Sequence, residues 1–82
     1  MKARNDLCDW LIAALKAQNG SASIINICKY IWDNHEDDLR NSGDLFYSWQ
    51  YDIRWAADYL RRTGVLKAVE LSPRGIWELN KK

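Results

Sequence analysis

The segment FYSWQYDIRWAADYLRRT runs from Phe46 to Thr63 and is followed at once by Gly64. At about 100° per residue its apolar side chains gather on one face, which predicts an amphipathic helix packed against a core. A glycine after the last periodic residue is a common helix stop. The predicted inner face consists of Phe46, Trp49, Ile53, Ala56, Ala57, Leu60 and Gly64. The opposite face of the predicted helix carries Tyr47, Ser48, Tyr51, Trp55, Asp58, Tyr59 and Arg62, with Arg54 and Arg61 on its flank.

The tail that follows this helix has the pattern of a β-hairpin over residues 65–80. The sequence SPRG at 72–75 suits a type I turn, since serine favours the first position, proline fixes φ at the second and glycine favours the fourth. On the returning strand Trp77 and Leu79 share one face, which we expect to cover the helices. Arg74 is then left at the tip of the hairpin.

Two shorter helices are predicted before this segment. The first covers about residues 5–18, where leucines recur at helical spacing and Asn19 and Gly20 provide a stop. The second covers about residues 24–34, with the serines of 21–23 available as an N-terminal cap. Each of these helices has an apolar stripe, so each needs a neighbour against which to bury it.

The order of these elements predicts the fold class. Three helices, the third at about 46–63, are followed by a two-stranded ribbon at about 65–80. This order indicates an α+β winged helix, with a three-helix helix-turn-helix core and a C-terminal β-hairpin wing, as a single domain over residues 1–82. Winged helices are usually binding modules, in which the last helix enters a DNA groove and the ribbon contacts the adjacent backbone.

Composition excludes several classes of function. The chain has 82 residues, of which 48% are hydrophobic and 28% charged, and this is too short for a typical enzyme with a cofactor domain. No apolar run approaches the roughly 20 residues of a membrane helix. The polar N-terminus lacks an apolar signal region, so we expect a cytoplasmic protein that does not contact membranes.

The residues suited to metal or sulfur chemistry are few. Cys8 and Cys28 fall among apolar neighbours in the predicted helices, and we expect free, buried thiols, with a disulfide as the alternative. A structural zinc site needs four ligands at short spacings, and His35 does not complete such a set. The sequence therefore predicts no metal, no other cofactor and no catalytic residues.

A known family shares several short motifs with this chain, in the same order: Trp55-Ala56, Tyr59-Leu60, Gly64-Val65-Leu66 and Ser72-Pro73-Arg74-Gly75-Ile76-Trp77-Glu78-Leu79. Over about residues 44–80 the chain resembles the N-terminal winged-helix domain of Mrr-type restriction endonucleases, and the first helix resembles it more loosely. The resemblance implies DNA binding. The nuclease domain that follows in those proteins, with its acidic and lysine metal-site residues, is missing from this sequence, and from this departure we expect a binding module and not an enzyme. The sequence leaves open whether it is an isolated module, a fragment of a longer protein or a small protein that reuses the fold.

The charge distribution favours the second half of the chain as the DNA-binding half. Residues 1–44 carry a net charge of −2 and residues 45–82 a net charge of +3. In our first hypothesis the third helix enters the major groove, and Arg54 is the best candidate for a bidentate contact with guanine. The candidate DNA-binding residues are Tyr47, Ser48, Tyr51, Arg54, Arg61, Arg62, Lys67, Arg74 and Lys81, with Lys82 as a further phosphate contact.

The second hypothesis is a small protein-binding winged helix, such as a host or phage regulator or inhibitor. The net charge is only +1, and aromatic anchors dominate protein interfaces without requiring charge. Under this view the stripe of Tyr51, Trp55 and Tyr59 meets the partner; alternatively, that stripe fills a gap beneath the wing. The acidic connector at 35–44, with room for one irregular helical turn, is either a docking or cation site or a solvated loop. Homodimerisation stays open under both hypotheses.

Overall fold

The computed structural model of the chain describes residues 4–80. Its elements, in chain order, are α1 (Asp6–Ala17), β1 (Ser21–Ser23), α2 (Ile24–Arg40), α3 (Leu45–Arg62) and β2 (Ile76–Glu78), with a short 3₁₀ turn at Val69–Leu71. Three helices and an antiparallel β-pairing whose second strand follows them confirm the predicted α+β winged-helix layout. Lys81 and Lys82, two of the predicted phosphate contacts, lie outside the described residues.

The core lies where the inner faces of the three helices meet. Ile53 of α3 is completely buried, as the helical wheel predicts, and Trp77 of β2 covers the same core from the other side. Trp77 and Leu79 both pack on this core, which confirms the predicted inward face of the returning strand. The fully buried large side chains are Leu7, Leu11, Leu15, Ile27, Ile31, Leu39, Ile53 and Leu66.

Local sequence signals explain where the helices begin and end. After α3, Gly64 has φ +84° and the amide of Val65 donates to the carbonyl of Leu60 over 2.8 Å, which together form a Schellman motif. Asn19, with φ +65°, ends α1 in the same manner. At the start of α2 the hydroxyl of Ser23 accepts a hydrogen bond from the amide of Asn26 over 3.2 Å.

The sheet differs in extent from the predicted hairpin. The main partner of β2 is β1, with Ser21 opposite Glu78 and Ser23 opposite Ile76. The first arm of the hairpin contributes only the bridge between Leu66 and Leu79. Segment 21–23, predicted only as a cap, is too short to show a strand pattern, and it is extended because it supplies partners for the backbone of β2.

The wing, residues 65–80, is therefore mostly a loop. Residues 68–72 satisfy their own backbone groups in the 3₁₀ turn, so they do not continue a ladder. The amide of Ile76 donates to the carbonyl of Pro73 over 3.1 Å, so the turn is 73–76, and its predicted position is wrong by one residue. Gly75, with φ +78°, occupies the third position of this turn, where type II geometry requires a positive φ.

Helix α2 is longer than predicted because the helical turn of the acidic connector is continuous with it. The backbone bends at His35, which has φ −134°, and the helix then resumes as far as Arg40. Leu39 anchors this last turn because its side chain is fully buried. The Arg40 Nε atom also lies 2.8 Å from a carboxylate oxygen of Glu36. The loop between α2 and α3 is thus limited to residues 41–44.

At the start of α3 the buried face differs slightly from the predicted inner face. Leu45, which was not assigned to the inner face, is buried, whereas Phe46 is only half-buried and faces Trp32. Trp32 in turn stacks on Trp49 with ring centres 6.3 Å apart. This aromatic cluster fixes the start of α3 against the middle of α2. Within residues 4–80, no helix combines the length and the apolar character needed to cross a membrane.

Candidate nucleic-acid interface

The outer face of α3, defined here as Tyr47, Gln50, Tyr51 and Arg54, is open to solvent. Tyr47 is 86% exposed and Tyr51 is 78% exposed. Gln50 and Arg54 are exposed between and beyond them. Within residues 4–80, no carboxylate lies within ion-pair distance of Arg54. Four side chains able to form hydrogen bonds or to stack are thus presented together on one side of one helix.

Ser48, another predicted site residue, is oriented differently. Its hydroxyl donates a hydrogen bond to a carboxylate oxygen of Asp52 over 2.8 Å, one helical turn further along. The Ser48 side chain is half-buried. Its donor is therefore engaged within the helix, and Ser48 is less available to a partner than Tyr47 beside it.

The arginines near the end of α3 fall into two environments. The Arg61 side chain is only 21% exposed, and its Nη1 atom lies 3.0 Å from a carboxylate oxygen of Asp58. Its guanidinium carbon lies 5.9 Å from the ring centre of Trp77, so Arg61 ties α3 to β2. Arg62 is exposed, and no ion pair is formed by it within the described part of the chain. The structure thus leaves Arg62 available and holds Arg61 in place.

The basic residues of the wing differ in the same way. The Nζ atom of Lys67 lies 3.4 Å from a carboxylate oxygen of Glu78 on the returning strand, so part of its charge is compensated. Arg74 is exposed in the turn, and over residues 4–80 it has no acidic partner. Of the two predicted wing contacts, Arg74 is the more available.

An open groove separates α2 from α3 beside the outer face. It has a volume of about 590 Å³. Burial raises the pKa of the Cys28 thiol in this groove, and the positive charge of Arg54 lowers it in part. Arg54 lies beside the groove, because it follows the lining residue Gln50 by one helical turn. The lining of the α2–α3 groove consists of Ile24, Ile25, Cys28, Lys29, Trp32, Asp33, Trp49 and Gln50.

The wing turn lies at one end of this groove. The amide of Ile24, the first residue of α2, donates to the carbonyl of Gly75 over 3.1 Å. This hydrogen bond holds Arg74 next to the start of α2, where Ile24 and Ile25 line the groove. The wing, the start of α2 and the outer face of α3 are therefore parts of one surface.

Sequence reasoning missed two features of this surface. Gln50 was not among the predicted contacts, although it precedes Arg54 by one helical turn and so shares its face. The groove itself depends on how α2 packs on α3, which helical periodicity alone does not give. Cys8 and Cys28 are both free, as predicted, and each is half-buried.

Trp55 and Tyr59 lie apart from the outer face of α3. Their rings stack with centres 5.8 Å apart, and the guanidinium of Arg4 lies 4.2 Å from the ring centre of Trp55. The predicted stripe of three aromatic residues is therefore divided, because Tyr51 is 78% exposed, whereas Trp55 is half-buried beneath Arg4 and stacks on Tyr59, which is 45% exposed.

Acidic side chains surround a small polar depression at residues 33–38, where α2 bends. His35 stacks on Trp10 there, with ring centres 4.1 Å apart and nearly parallel planes. Across residues 4–80, no three histidine, cysteine or acidic side chains are placed so that they could hold a metal ion.

No known protein family, curated protein or solved structure matches the chain. The surface formed by α3, the start of α2 and the wing is the candidate site, because it combines exposed aromatic, amide and cationic groups that have no acidic partner in the described part of the chain.

Proposed function

We propose that the protein is a duplex DNA-binding winged-helix module, with α3 in the major groove and the wing on the phosphate backbone. The observation that carries the proposal is the exposed guanidinium of Arg54, without an acidic partner in residues 4–80 and flanked by Tyr47, Gln50 and Tyr51. An α-helix is about 10–12 Å wide with its side chains, and the major groove is about 12 Å wide. Helix α3 is therefore of a size to enter it.

The roles of the cationic residues follow from their surroundings. Arg54 has the planar pair of donors that matches the O6 and N7 acceptors of guanine. Arg62 and Arg74 are exposed and would neutralise phosphates, which releases counterions. Lys67 and Arg61 already have acidic neighbours, so their contributions to binding would be smaller.

The resemblance to the N-terminal domain of Mrr-type restriction endonucleases supports the same proposal. Its motifs include Gly64, which ends α3, and the turn that presents Arg74. Under this proposal the chain binds DNA and carries out no chemistry on it. Paired modules would suit a site made of two half-sites, so a homodimer is compatible with the proposal.

The test is a titration of mixed-sequence duplex DNA by fluorescence anisotropy at about 50 mM and about 200 mM salt. We expect affinity to fall steeply with salt. Arg74→Ala should weaken binding to all sequences and lower the slope of log affinity against log salt by about 1. Lys16→Ala, at the exposed end of α1, removes the same charge from a helix outside the proposed site and should bind like wild type. Absence of binding even at the lower salt concentration would refute the proposal.

A second candidate function is binding to a protein partner, and one observation favours it. Val69 and Leu71 are both exposed on the wing, with the acidic Glu70 between them. An apolar loop tip with a negative charge suits a protein surface better than a phosphate backbone. If duplex DNA does not bind, this tip and the exposed Tyr47 become the first positions to substitute in an interaction study.

A further inference from the structure

We infer that the α2–α3 groove reads a single A·T base pair, with Gln50 on the adenine and the apolar α2 wall on the methyl group of the thymine. The inference rests on the proposed DNA binding and adds a base preference to it. It depends on the pairing of one amide side chain and one exposed aliphatic side chain on opposite walls of the same groove.

The two walls of the groove differ in chemistry. Ile25, on α2, is 72% exposed and is the most exposed large aliphatic side chain among residues 4–80. Cys28, one turn further along α2, is also a groove-lining residue with apolar character. On the other wall, Gln50 of α3 provides a carboxamide with one acceptor and two donor positions. An aliphatic side chain so exposed gains free energy from any apolar group that covers it.

The major-groove edge of an A·T pair presents matching groups in order. Adenine offers the N7 acceptor and the N6 donor, which a glutamine carboxamide can contact as a pair. The thymine on the opposite strand offers its O4 acceptor and then its methyl group, which apolar side chains contact. A G·C pair offers two acceptors on guanine, has its amino donor on cytosine and carries no methyl group, so a Gln50 carboxamide placed on the purine would leave its oxygen unpaired and Ile25 uncovered.

The charges around the groove favour duplex DNA as the occupant. Lys29 lines the α2 wall one turn after Ile25, and Arg54 follows Gln50 by one turn on α3. The turn that carries Arg74 is held at the same end by the hydrogen bond from Ile24 to Gly75. Asp33 lines the other end, where its negative charge would repel phosphates. The basic residues around the groove therefore outnumber the one carboxylate in its lining.

The experiment uses the full chain and a duplex selected from a randomised library. Each thymine of the selected site is replaced in turn by deoxyuridine, which removes only the methyl group. At one position we expect wild-type affinity to fall about fourfold, the effect of exposing one methylene-sized apolar group. Ile25→Ala should bind the thymine and deoxyuridine duplexes equally, while Asn26→Ala, at the exposed neighbouring position outside the groove lining, should retain the fourfold difference.

The adenine contact is tested separately with 7-deazaadenine, which lacks the N7 acceptor. At the partner of the sensitive thymine, this base should weaken wild-type binding, and Gln50→Ala should be insensitive to it. Gln50→Ala should also lose at least about fivefold of its preference for A·T over G·C at that position.

The outcomes separate this inference from the proposed function. If the chain binds DNA in a salt-dependent manner but no deoxyuridine substitution weakens binding, the inference is wrong and the proposed function stands. The same holds if Ile25→Ala keeps the wild-type response to deoxyuridine. If no duplex binds at low salt, both are wrong. Circular dichroism of each variant verifies folding, and exposed Ile25 and Gln50 should not affect it.

Discussion

Two pairs of aromatic residues on α3 have the same spacing but differ in exposure and in contacts. Tyr47 and Tyr51 are four residues apart and stand open to solvent, whereas Trp55 and Tyr59, also four apart, stack on each other. Arg4, which lies far from Trp55 in the sequence, covers the Trp55 ring with its guanidinium. Helical spacing therefore determines which face a residue occupies, but contacts from distant parts of the chain determine whether that face is free.

The arginines of α3 show the same contrast. Arg54 and Arg61 are two turns apart on the flank of the helix, and sequence periodicity treats them alike. Arg61 has Asp58 and Trp77 as neighbours, whereas Arg54 forms no ion pair within residues 4–80. One arginine stabilises the fold and the other is available to a partner.

The largest expected effect tests the division between the inner and outer faces of α3. Ile53→Ala should lower the free energy of unfolding by about 2–5 kcal/mol, because it leaves a cavity at a fully buried position. Tyr51→Ala removes a larger side chain but should change stability by less than about 0.5 kcal/mol, because that side chain is exposed. Urea denaturation followed by circular dichroism measures both. Similar losses in the two variants would mean that the two faces are not distinct.

The next effect compares the two arginines. Arg54→Ala should weaken DNA binding by about 1–3 kcal/mol and relax base preference, with little change in stability. Arg61→Ala should lower stability by about 1 kcal/mol, because it loses packing on Trp77, and should change base preference little. Binding titrations give the DNA affinity of each variant, and urea denaturation gives its free energy of unfolding. Equal binding losses with equal base preferences would remove the distinction.

Parts of the fold follow directly from local sequence. Gly64, Asn19 and Ser23 end or begin helices through hydrogen bonds made within a few residues, so their roles can be predicted from position alone. β1 could not be predicted, because it is extended only through its pairing with β2 on the far side of the chain. The extension of α2 was hidden because its last turn is mostly charged and only Leu39 reaches the core.

In the candidate site, too, some features follow from local sequence and others depend on contacts between distant residues. The exposure of Tyr47, Tyr51 and Arg54 follows from the helical wheel, since all three lie opposite or beside the buried face. The engagement of Arg61 depends on Trp77, and that of Lys67 on Glu78, and both partners lie on a strand far along the chain. Contacts of this kind depend on packing, so periodicity did not reveal which cations are free.

A smaller effect tests whether Arg4 causes the difference between the two aromatic pairs. Arg4→Ala should lower the free energy of unfolding by about 0.5–1 kcal/mol, the usual strength of an exposed cation–π contact. It should also make Trp55 more accessible to acrylamide, which fluorescence quenching measures. Arg4→Lys keeps the charge and should restore most of the stability. Quenching unchanged in Arg4→Ala would show that other contacts cover Trp55.

The smallest effect tests the position of Arg54 beside the groove. Burial raises the pKa of Cys28, and the positive charge of Arg54 opposes this shift by favouring the thiolate. Arg54→Ala should therefore raise the pKa of Cys28 further, so that less thiolate is present at pH 8 and the pH profile of alkylation shifts upward. The measurement uses a Cys8→Ser background, so that a single thiol reacts. Arg62→Ala is the matched control and should leave the profile in place. An unshifted profile in Arg54→Ala would mean that the guanidinium of wild-type Arg54 lies away from the groove. Arg54 and Gln50 would then not contact the same stretch of DNA.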